Sequence, residues 1–293
     1  MTSKDLTVTL NSGSVMPMVG LGTNGINGFK DILEVLDYAF EAGYRLIDTA
    51  AMYSNEGDIG RALKELLPKY NLSRKDIFIT TKLHPQDQGQ KATRALRKSL
   101  ERLDCEYIDL YLINWPGSYG ISSSSKENAT LREKSWELMV EAVNEGLVKN
   151  IGVSSYTVKH LKKLLSNDYG IKPCINQIEF HPQCYQKKLL QFCDKNGIMV
   201  QAYQSFGGTT DGNMDLLEHP VVVDIANRLE KSSGQVLLRW AIQQNIGVIP
   251  KSKNKSRIIS NMELDFIIPD ADMKALCSFK KQIRYDWDPE SVA

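Results

Sequence analysis

Ile108-Asp-Leu-Tyr-Leu-Ile113 is an apolar run that ends at Asn114, and Ile77-Phe-Ile-Thr-Thr81 is a similar run that ends at Lys82. Runs of this kind are typical of strands in a parallel sheet, because helices cover both faces of such a sheet and bury nearly every side chain. The two runs are separated by a helical pattern. Together they predict a repeated unit of strand and helix.

The same alternation extends over most of the chain. Apolar residues at Ile32, Val35, Leu36, Ala39 and Phe40 have the spacing of a helix with one buried face, and Gly43 supplies its stop. Further helices are predicted near 56–67, 93–103, 131–146, 158–166, 186–196, 220–231 and 234–245. Strands are predicted near 19–22, 45–48, 77–82, 108–114, 151–153, 175–179, 199–203 and 247–250. About eight strands alternating with helices predict an α/β protein with the (β/α)₈ TIM barrel fold.

The first residues stand outside this repeat. Leu6-Thr-Val-Thr-Leu-Asn-Ser-Gly-Ser-Val15 alternates and turns at Asn11-Ser-Gly13, which predicts a β-hairpin that closes the bottom of the barrel. No segment has the composition of an interdomain linker, so we expect residues 1–293 to form a single domain. The serine-rich stretch 117–126 is predicted to be a loop over the active face. The tail after Gln282 is predicted to fold over the barrel mouth.

Composition and charge argue against several classes of function. The chain carries 36 Lys and Arg against 35 Asp and Glu, a net charge of +1, which gives no global field to attract nucleic acid or an anionic membrane. The five cysteines include no C-x-x-C pair and favour free thiols in a reducing compartment. The sequence has neither an apolar signal segment nor a run of about 18 apolar residues. We therefore expect a cytoplasmic monomer without nucleic-acid or membrane partners.

Polar residues follow the predicted strands. Asp48, Lys82 and Asn114 stand at strand ends and Tyr53 in the loop after the first of them, so a barrel would bring all four to one face. A tyrosine among such residues could act as a general acid, but with a pKa near 10 it is a slow proton donor at neutral pH. A Lys82 ammonium would favour the phenolate and lower the pKa of Tyr53, and Asp48 would hold Lys82 charged. Taken singly, these residues have simpler interpretations as a packed tyrosine or a helix cap.

Three segments resemble the aldo-keto reductase family. They are Gly43-Tyr-Arg-Leu-Ile-Asp48-Thr-Ala-Ala-Met-Tyr53-Ser-Asn55-Glu56, Thr80-Thr-Lys82-Leu and Tyr107-Ile-Asp-Leu-Tyr-Leu-Ile-Asn-Trp-Pro116, within a resemblance that runs from about Val15 to Asn261. The resemblance implies a reductase in which Tyr53 is the proton donor, tuned by Lys82 and Asp48. The family usually has an active-site histidine before Trp-Pro, where this chain has Asn114. Because an amide can donate a hydrogen bond to a carbonyl but cannot become cationic, we expect Asn114 to orient the substrate.

The four histidines were candidates for the missing imidazole or for metal binding. His84 lies two residues after Lys82, where family members place an aromatic that lines the substrate pocket, and we expect it to line that pocket with Trp115. A contribution of the His84 imidazole to catalysis stays open. His181 is expected in a turn bonded to backbone, and His160 and His219 on the surface. No metal site is predicted, because no pair of ligands has the required spacing on one element.

Gly20-Leu-Gly22-Thr-Asn-Gly25 imitates the dinucleotide fingerprint of a Rossmann fold, with Asp48 as the ribose ligand, and that fold is the alternative. However, a Rossmann helix should begin at the glycines, whereas Ile26-Asn-Gly28 intervenes here. The Rossmann interpretation also leaves Tyr53 and Lys82 unexplained.

The resemblance instead implies an NADPH site spread over several loops. Lys251 and Ser252, followed by Arg257 and Asn261, match the segment that binds the adenosine 2′-phosphate and the adenine, and two cations suit a doubly charged phosphate. At the nicotinamide end the matches are Ser154 and Gln177 for the carboxamide, Tyr203 for stacking, and Gly22, Thr23 and Asp48 at the adjoining ribose. Ser155 and Gln204 depart from the family's usual Asn and Ser but are polar. A solvated basic helix start is the alternative for residues 250–261.

These observations favour an NADPH-dependent enzyme that reduces a carbonyl compound. Two alternatives stay open. The first is reduction of the C=C bond of a conjugated enone, as in family branches that replace the histidine with glutamate. The second is a catalytically weak NADPH-binding regulatory or structural protein, against which the joint presence of Tyr53, Lys82 and Asp48 argues. Aromatic residues in the predicted pocket loops indicate an apolar, bulky substrate; they are Trp115, Tyr119, Phe206 and Trp287.

Overall fold

Eight parallel strands form the centre of the fold in a computed structural model that describes residues 6–293, with only the backbone described at 210 and 211. The strands are β3 (Leu21–Gly22), β4 (Leu46–Asp48), β5 (Phe78–Leu83), β6 (Ile108–Ile113), β7 (Val148–Ser154), β8 (Ile175–Glu179), β9 (Met199–Tyr203) and β10 (Gly247–Val248), and each pairs with the next along the chain. A parallel bridge from Val19 to Val248 joins the two ends of the sheet. The predicted (β/α)₈ barrel is confirmed.

Helices cover the outside of the strands. They are α1 (Phe29–Ala42), α2 (Glu56–Lys69), α3 (Ala92–Leu103), α4 (Glu127–Asn144), α5 (Val158–Leu165), α6 (Lys187–Lys195), α7 (Pro220–Arg228), α8 (Ser233–Ile242), α9 (Lys255–Ser260) and α10 (Asp270–Leu276). Gly43 ends α1 with a φ of 99°, a left-handed conformation that favours glycine. Helix α4 begins at Glu127, earlier than the apolar pattern predicted, and α10 was not predicted.

The hairpin β1 (Thr7–Thr9) and β2 (Val15–Pro17) is antiparallel and lies at the opposite end of the barrel from Asp48 and Lys82. Its Leu10 and Met16 are buried in an apolar cluster with barrel residues that include Leu46, Phe78, Leu110 and Ile175. The Asn11 amide donates to the carbonyls of Pro173 (3.0 Å) and Gly197 (3.1 Å), which precede β8 and β9. The hairpin therefore closes the bottom of the barrel, as predicted.

Three further observations concern the rest of the chain. The five cysteines are all free thiols, as the sequence predicted. Within residues 6–293, no helix is long and apolar enough to cross a membrane. The tail folds across the barrel mouth, where Trp287 packs edge-on against Trp115 with ring centroids 5.6 Å apart.

Candidate active site

A cavity of about 380 Å³ opens where the carboxyl ends of the barrel strands meet. Most of the site residues predicted from the sequence line it. They are Gly22, Thr23, Asp48, Tyr53, Lys82, Asn114, Trp115, Ser154, Ser155, Gln177, Tyr203, Gln204 and Lys251. Parallel strands bring residues far apart in sequence to this one face.

Four predicted residues do not line this cavity. Ser252 lies just beyond Lys251, and Arg257 and Asn261 lie on α9 and at its end. His84 was expected to line the substrate pocket, but its Nδ1 accepts a hydrogen bond from the Gln86 amide at 3.0 Å and caps the short 3₁₀ helix Pro85–Asp87. Burial lowers the pKa of His84, so the ring is a neutral cap rather than a cation facing the cavity.

Lys82 and Asp48 form a fully buried ion pair at the base of the cavity. The Lys82 Nζ donates to Asp48 Oδ1 at 2.6 Å and to the Thr49 carbonyl at 2.8 Å. Gln177 Nε2 donates to the other Asp48 oxygen at 2.7 Å. Burial alone would lower the pKa of Lys82, but Asp48 and Tyr53 outweigh it and raise that pKa above 10.5. The Lys82 ammonium is therefore charged and fixed.

Tyr53 ends a 3₁₀ turn, Ala51–Tyr53, that follows β4, and the Lys82 Nζ lies 5.0 Å from its ring centroid. Burial raises the pKa of Tyr53 above 10.0, Lys82 opposes that rise, and the carboxylates of Asp48 and Asp286 reinforce it. Lys82 acts in the predicted direction, but desolvation of the phenolate outweighs the ammonium, so the pKa of Tyr53 stays above 10.0. Lys82 limits the rise instead of reversing it.

Asn114 directly follows β6 and faces the 3₁₀ turn that carries Tyr53. Its side-chain Nδ2 donates to the Met52 sulfur at 3.1 Å. A thioether is a weak acceptor, so a carbonyl oxygen entering the cavity would be a better partner for this amide. The Asn114 amide is thus held near Tyr53 by an interaction that a ligand can displace.

The far side of the cavity carries hydrogen-bonding groups suited to a dinucleotide. Gln177 donates to Asp48 and, at 2.8 Å, to Gln201, so both of its N–H groups are used and only its oxygen remains for a ligand. The Tyr203 hydroxyl and the Ser155 hydroxyl are hydrogen-bonded at 3.1 Å. The Ser205 hydroxyl is buried without a partner among the described residues. An unsatisfied buried hydroxyl in a cavity wall is expected where a ligand completes the site.

Backbone strain occurs at two of the residues that line the cavity, Ser155 and Gln204. Ser155 has a φ of 60° and Gln204 a φ of 52°, both in the left-handed region. Non-glycine residues rarely adopt this conformation and do so preferentially at functional sites. It turns the chain sharply at the ends of β7 and β9, beside the cavity.

Positive charge is available at the end of the cavity near Lys251. Neither Lys251 nor Arg257 forms an ion pair with a carboxylate in the described part of the chain. By contrast, Lys253 pairs with Asp31 at 2.8 Å and Lys255 with Glu41 at 2.7 Å. Unpaired cations beside paired ones suit binding of a phosphate. The residues present therefore fit NADPH.

Several cavity residues were missed in the sequence. They are Asn24, Met52, Ser205, Thr209, Ile249, Pro250 and Asp286. For Met52, Ser205 and Asp286 a signal existed, since they adjoin Tyr53, Gln204 and the aromatic Trp287. No group of His, Cys, Asp and Glu residues within 6–293 could hold a metal ion.

The prediction for His160 was wrong, and that for His181 was confirmed in part. His160 is buried rather than exposed, and its Nε2 lies 3.0 Å from the Val292 carbonyl. His181 precedes the short 3₁₀ turn Pro182–Cys184, as predicted, but its Nε2 lies 3.0 Å from Glu179 Oε1, so the partner of its ring is a side chain rather than backbone. Both contacts belong to the system that fixes the tail.

Comparisons with known proteins agree with this geometry. The model of the "Aldo/keto reductase family" matches residues 18–281. The chain is 38% identical to a glyoxal reductase of Bacillus subtilis, over 99% of both chains. It is 36% identical to an aldehyde reductase of Saccharomyces cerevisiae, over 94% of this chain and 91% of that one. A crystal structure of a Bombyx mori aldo-keto reductase in complex with NADP matches with a TM-score of 0.86 and 34% identity, over 96% of this chain and 94% of that chain.

Proposed function

This chain belongs to the aldo/keto reductase family, and we propose that it reduces an aldehyde or ketone with Tyr53 as the proton donor to the carbonyl oxygen. It is an NADP(H)-dependent oxidoreductase acting on carbonyl groups. NADPH, its cofactor, supplies the hydride when bound. The observation that carries the proposal is the buried Lys82 ammonium, which lies 5.0 Å from the Tyr53 ring centroid in the same cavity as the dinucleotide-binding groups.

The proton chemistry follows from three side chains. A carbonyl oxygen becomes negative as it is reduced and takes the proton of the Tyr53 phenol. The phenolate left behind is stabilised by the Lys82 ammonium, which Asp48 holds in place and keeps charged. Asn114 adds a hydrogen bond to the carbonyl oxygen by exchanging its Met52 partner for the substrate.

The cofactor would be held by the opposite wall. Tyr203 offers a ring for stacking, and Ser154, Ser155 and the Gln177 oxygen offer hydrogen bonds at the nicotinamide end. The cofactor would also contact Gly22, Thr23 and Gln204, which line the cavity. Asn261, at the end of α9, would reach the adenine. Lys251, Ser252 and Arg257 would bind the 2′-phosphate, which gives NADPH the advantage over NADH.

A second candidate is reduction of the C=C bond of an enone, and the observation that favours it is the Asn114 amide itself. We propose that Asn114 replaces the histidine usual in the family. An amide can orient the substrate oxygen by a hydrogen bond but cannot become cationic. Hydride could then be delivered to the C=C bond instead of the carbonyl carbon. A third possibility, a regulatory NADPH-binding protein, is disfavoured by the intact arrangement of Tyr53, Lys82 and Asp48.

The proposal is tested by measuring NADPH consumption over a panel of aldehydes, ketones and enones, with product identification. We expect alcohols from aldehydes or ketones, formed roughly 10²–10⁴-fold more slowly by the Tyr53→Phe variant. Saturated ketones from enones as the main products would favour the second candidate. NADPH binding without turnover on any member would favour the regulatory one.

The Asn114→His variant separates the first two candidates further. We expect it to raise kcat/KM for generic aldehydes and to introduce a pH dependence near the unperturbed imidazole pKa of about 6.5. If the wild type already matches this variant on an aldehyde, a ketone and an enone, Asn114 is a neutral substitution and the specialised reaction is excluded.

The expected single domain over residues 1–293, the monomeric state and the cytoplasmic location stay predictions. Light scattering coupled to size exclusion tests the monomer directly, since a dimer would double the mass.

A further inference from the structure

The tail carries a carboxylate into the reactive end of the cavity. Asp286 and Trp287 line the cavity together with Tyr53, Asn114 and Trp115. Asp286 is exposed, so a bound molecule can reach it. Its influence on the phenol of Tyr53, described above, indicates that the two groups are near each other.

Buried side chains hold Asp286 in position. The Glu179 carboxylate at the end of β8 is fully buried and accepts the backbone N–H of Tyr285 at 2.7 Å and of Asp286 at 3.0 Å. Farther along the tail, the Val292 carbonyl accepts from the Lys159 Nζ at 2.6 Å. Because both sides of the segment are anchored, the Asp286 side chain starts from a fixed backbone.

Asp286 forms no ion pair with another described residue. Its Oδ1 accepts the Trp287 backbone N–H at 2.8 Å. Burial and the Glu179 carboxylate raise the pKa of Asp286, whereas the Tyr203 hydroxyl and the charge of Arg284 favour its ionised form. Arg284 itself lies 3.8 Å from Asp288. Among the described residues that line the cavity, the cations are Lys82, which is paired with Asp48, and Lys251, which lies at the proposed phosphate end.

Two indole rings lie beside the Asp286 carboxylate in the cavity wall. Trp115 and Trp287 meet edge to face across the cavity wall, and Trp287 is 61% exposed. A carboxylate beside accessible aromatic rings is the combination that binds a cation, through Coulomb attraction and through the negative face of the ring. The same combination repels a carboxylate.

Resting on the proposed carbonyl reduction, we propose that Asp286 is a specificity-determining residue that selects carbonyl substrates bearing a positively charged amino group and disfavours those bearing a carboxylate. This refines the expectation of an apolar, bulky substrate. The aromatic surface receives the body of the molecule, and Asp286 receives its cationic end.

The test uses three benzaldehydes of similar shape that differ in the charge of the para substituent. They are 4-(trimethylammonio)benzaldehyde, methyl 4-formylbenzoate and 4-carboxybenzaldehyde. We would measure kcat/KM with saturating NADPH for the wild type, for Asp286→Asn, for Asp286→Lys and for Glu290→Gln. Glu290 is the matched control, because it lies four residues along the same tail, is exposed and does not line the cavity.

In the wild type we expect the order cation, neutral ester, carboxylate. Asp286→Asn should reduce the ratio of cation to carboxylate by on the order of tenfold, and Asp286→Lys should invert it. Glu290→Gln should leave the ratio within about twofold of wild type, since charges outside the cavity are screened by salt. Unfolding midpoints of all variants would verify that the tail substitutions leave the barrel folded.

The experiment distinguishes failure of the proposed carbonyl reduction from failure of the selection by Asp286. If the wild type reduces none of the three aldehydes and no member of the wider panel, the proposed function is wrong. If the neutral ester is reduced but the ratio is the same in wild type and in both Asp286 variants, or changes equally in the Glu290 control, the selection by Asp286 is refuted.

Discussion

Replacing Lys82 with Met removes the buried ammonium and retains much of its volume. Breaking a buried ion pair from one side typically costs about 3–5 kcal/mol, because the remaining charge is left uncompensated. Here the remaining charge is Asp48, whose Oδ2 still accepts from Gln177 at 2.7 Å. We therefore expect a loss near the lower end of that range in the free energy of unfolding.

The effect on activity has a different origin. With Lys82 Nζ 5.0 Å from the Tyr53 ring centroid and an effective dielectric constant of about 20, the ammonium stabilises a phenolate by about 3 kcal/mol, or roughly two pKa units. General acid catalysis as a whole contributes roughly 10²–10⁴-fold. Lys82→Met should thus lower kcat/KM for an aldehyde at least about 10²-fold and move the ionisation of Tyr53 to higher pH.

The double variant Lys82→Met with Asp48→Asn separates stability from chemistry. Replacing both members of a buried ion pair by neutral groups is often neutral for stability. Urea unfolding should therefore show most of the lost stability restored, while kcat/KM stays as low as in the single variant. Activity that recovers together with stability, or a Lys82→Met enzyme within threefold of wild type, would show that the charge of Lys82 does not serve Tyr53.

Three further predictions concern the proton donor, the phosphate site and the tail. Tyr53→Phe should lower kcat by roughly 10²–10⁴-fold with the Kd of NADPH, measured by fluorescence titration, changed less than about twofold; wild-type turnover would show that Tyr53 is not the proton donor. Arg257→Ala should weaken the binding of NADPH on the order of tenfold and leave the binding of NADH unchanged. The control Lys253→Ala removes a side chain that pairs with Asp31 and should change the affinity for neither cofactor. Equal losses of affinity for both cofactors in Arg257→Ala would contradict the 2′-phosphate assignment. Burial opposes ionisation of Glu179, but its hydrogen bonds to His181, Tyr285 and Asp286 prevail and lower its pKa below 4.5. The stabilisation that its carboxylate provides is therefore complete above pH 4.5 and is lost as the pH falls through the lowered pKa. Glu179→Gln should cost about 1.5–3 kcal/mol in urea unfolding at pH 7 and remove that part of the acid dependence, and a variant with the wild-type pH profile would show that the carboxylate does not anchor the tail.

The sequence predicted those parts of the fold that depend on local pattern. Strands such as Ile108–Ile113 are apolar because helices cover them, and that signal is visible without the structure. Helix α10 was missed because it is short and buries only Leu276, so it has no apolar face to detect. Helix α4 begins early because the Asn128 side chain contacts the preceding loop, accepting from the Ser118 amide at 2.9 Å.

Part of the candidate site could likewise be predicted from the sequence, and part of it could not. Tyr53, Lys82 and Asp48 could be proposed together because parallel strands bring their carboxyl ends to one face. The direction of the Tyr53 pKa could not be predicted, since it depends on how much burial opposes the Lys82 charge. The contact of Glu179 with the tail joins residues 106 positions apart, and no periodicity links them.

The Glu179 anchor binds backbone N–H groups and no tail side chain. Every amino acid except proline carries that N–H, so the anchor tolerates almost any residue at positions 285 and 286. Mutation can therefore exchange the side chains that face the cavity while the tail remains attached to β8. Divergence among descendants of this chain should accordingly concentrate in the tail, with proline excluded from those two positions and Glu179 retained.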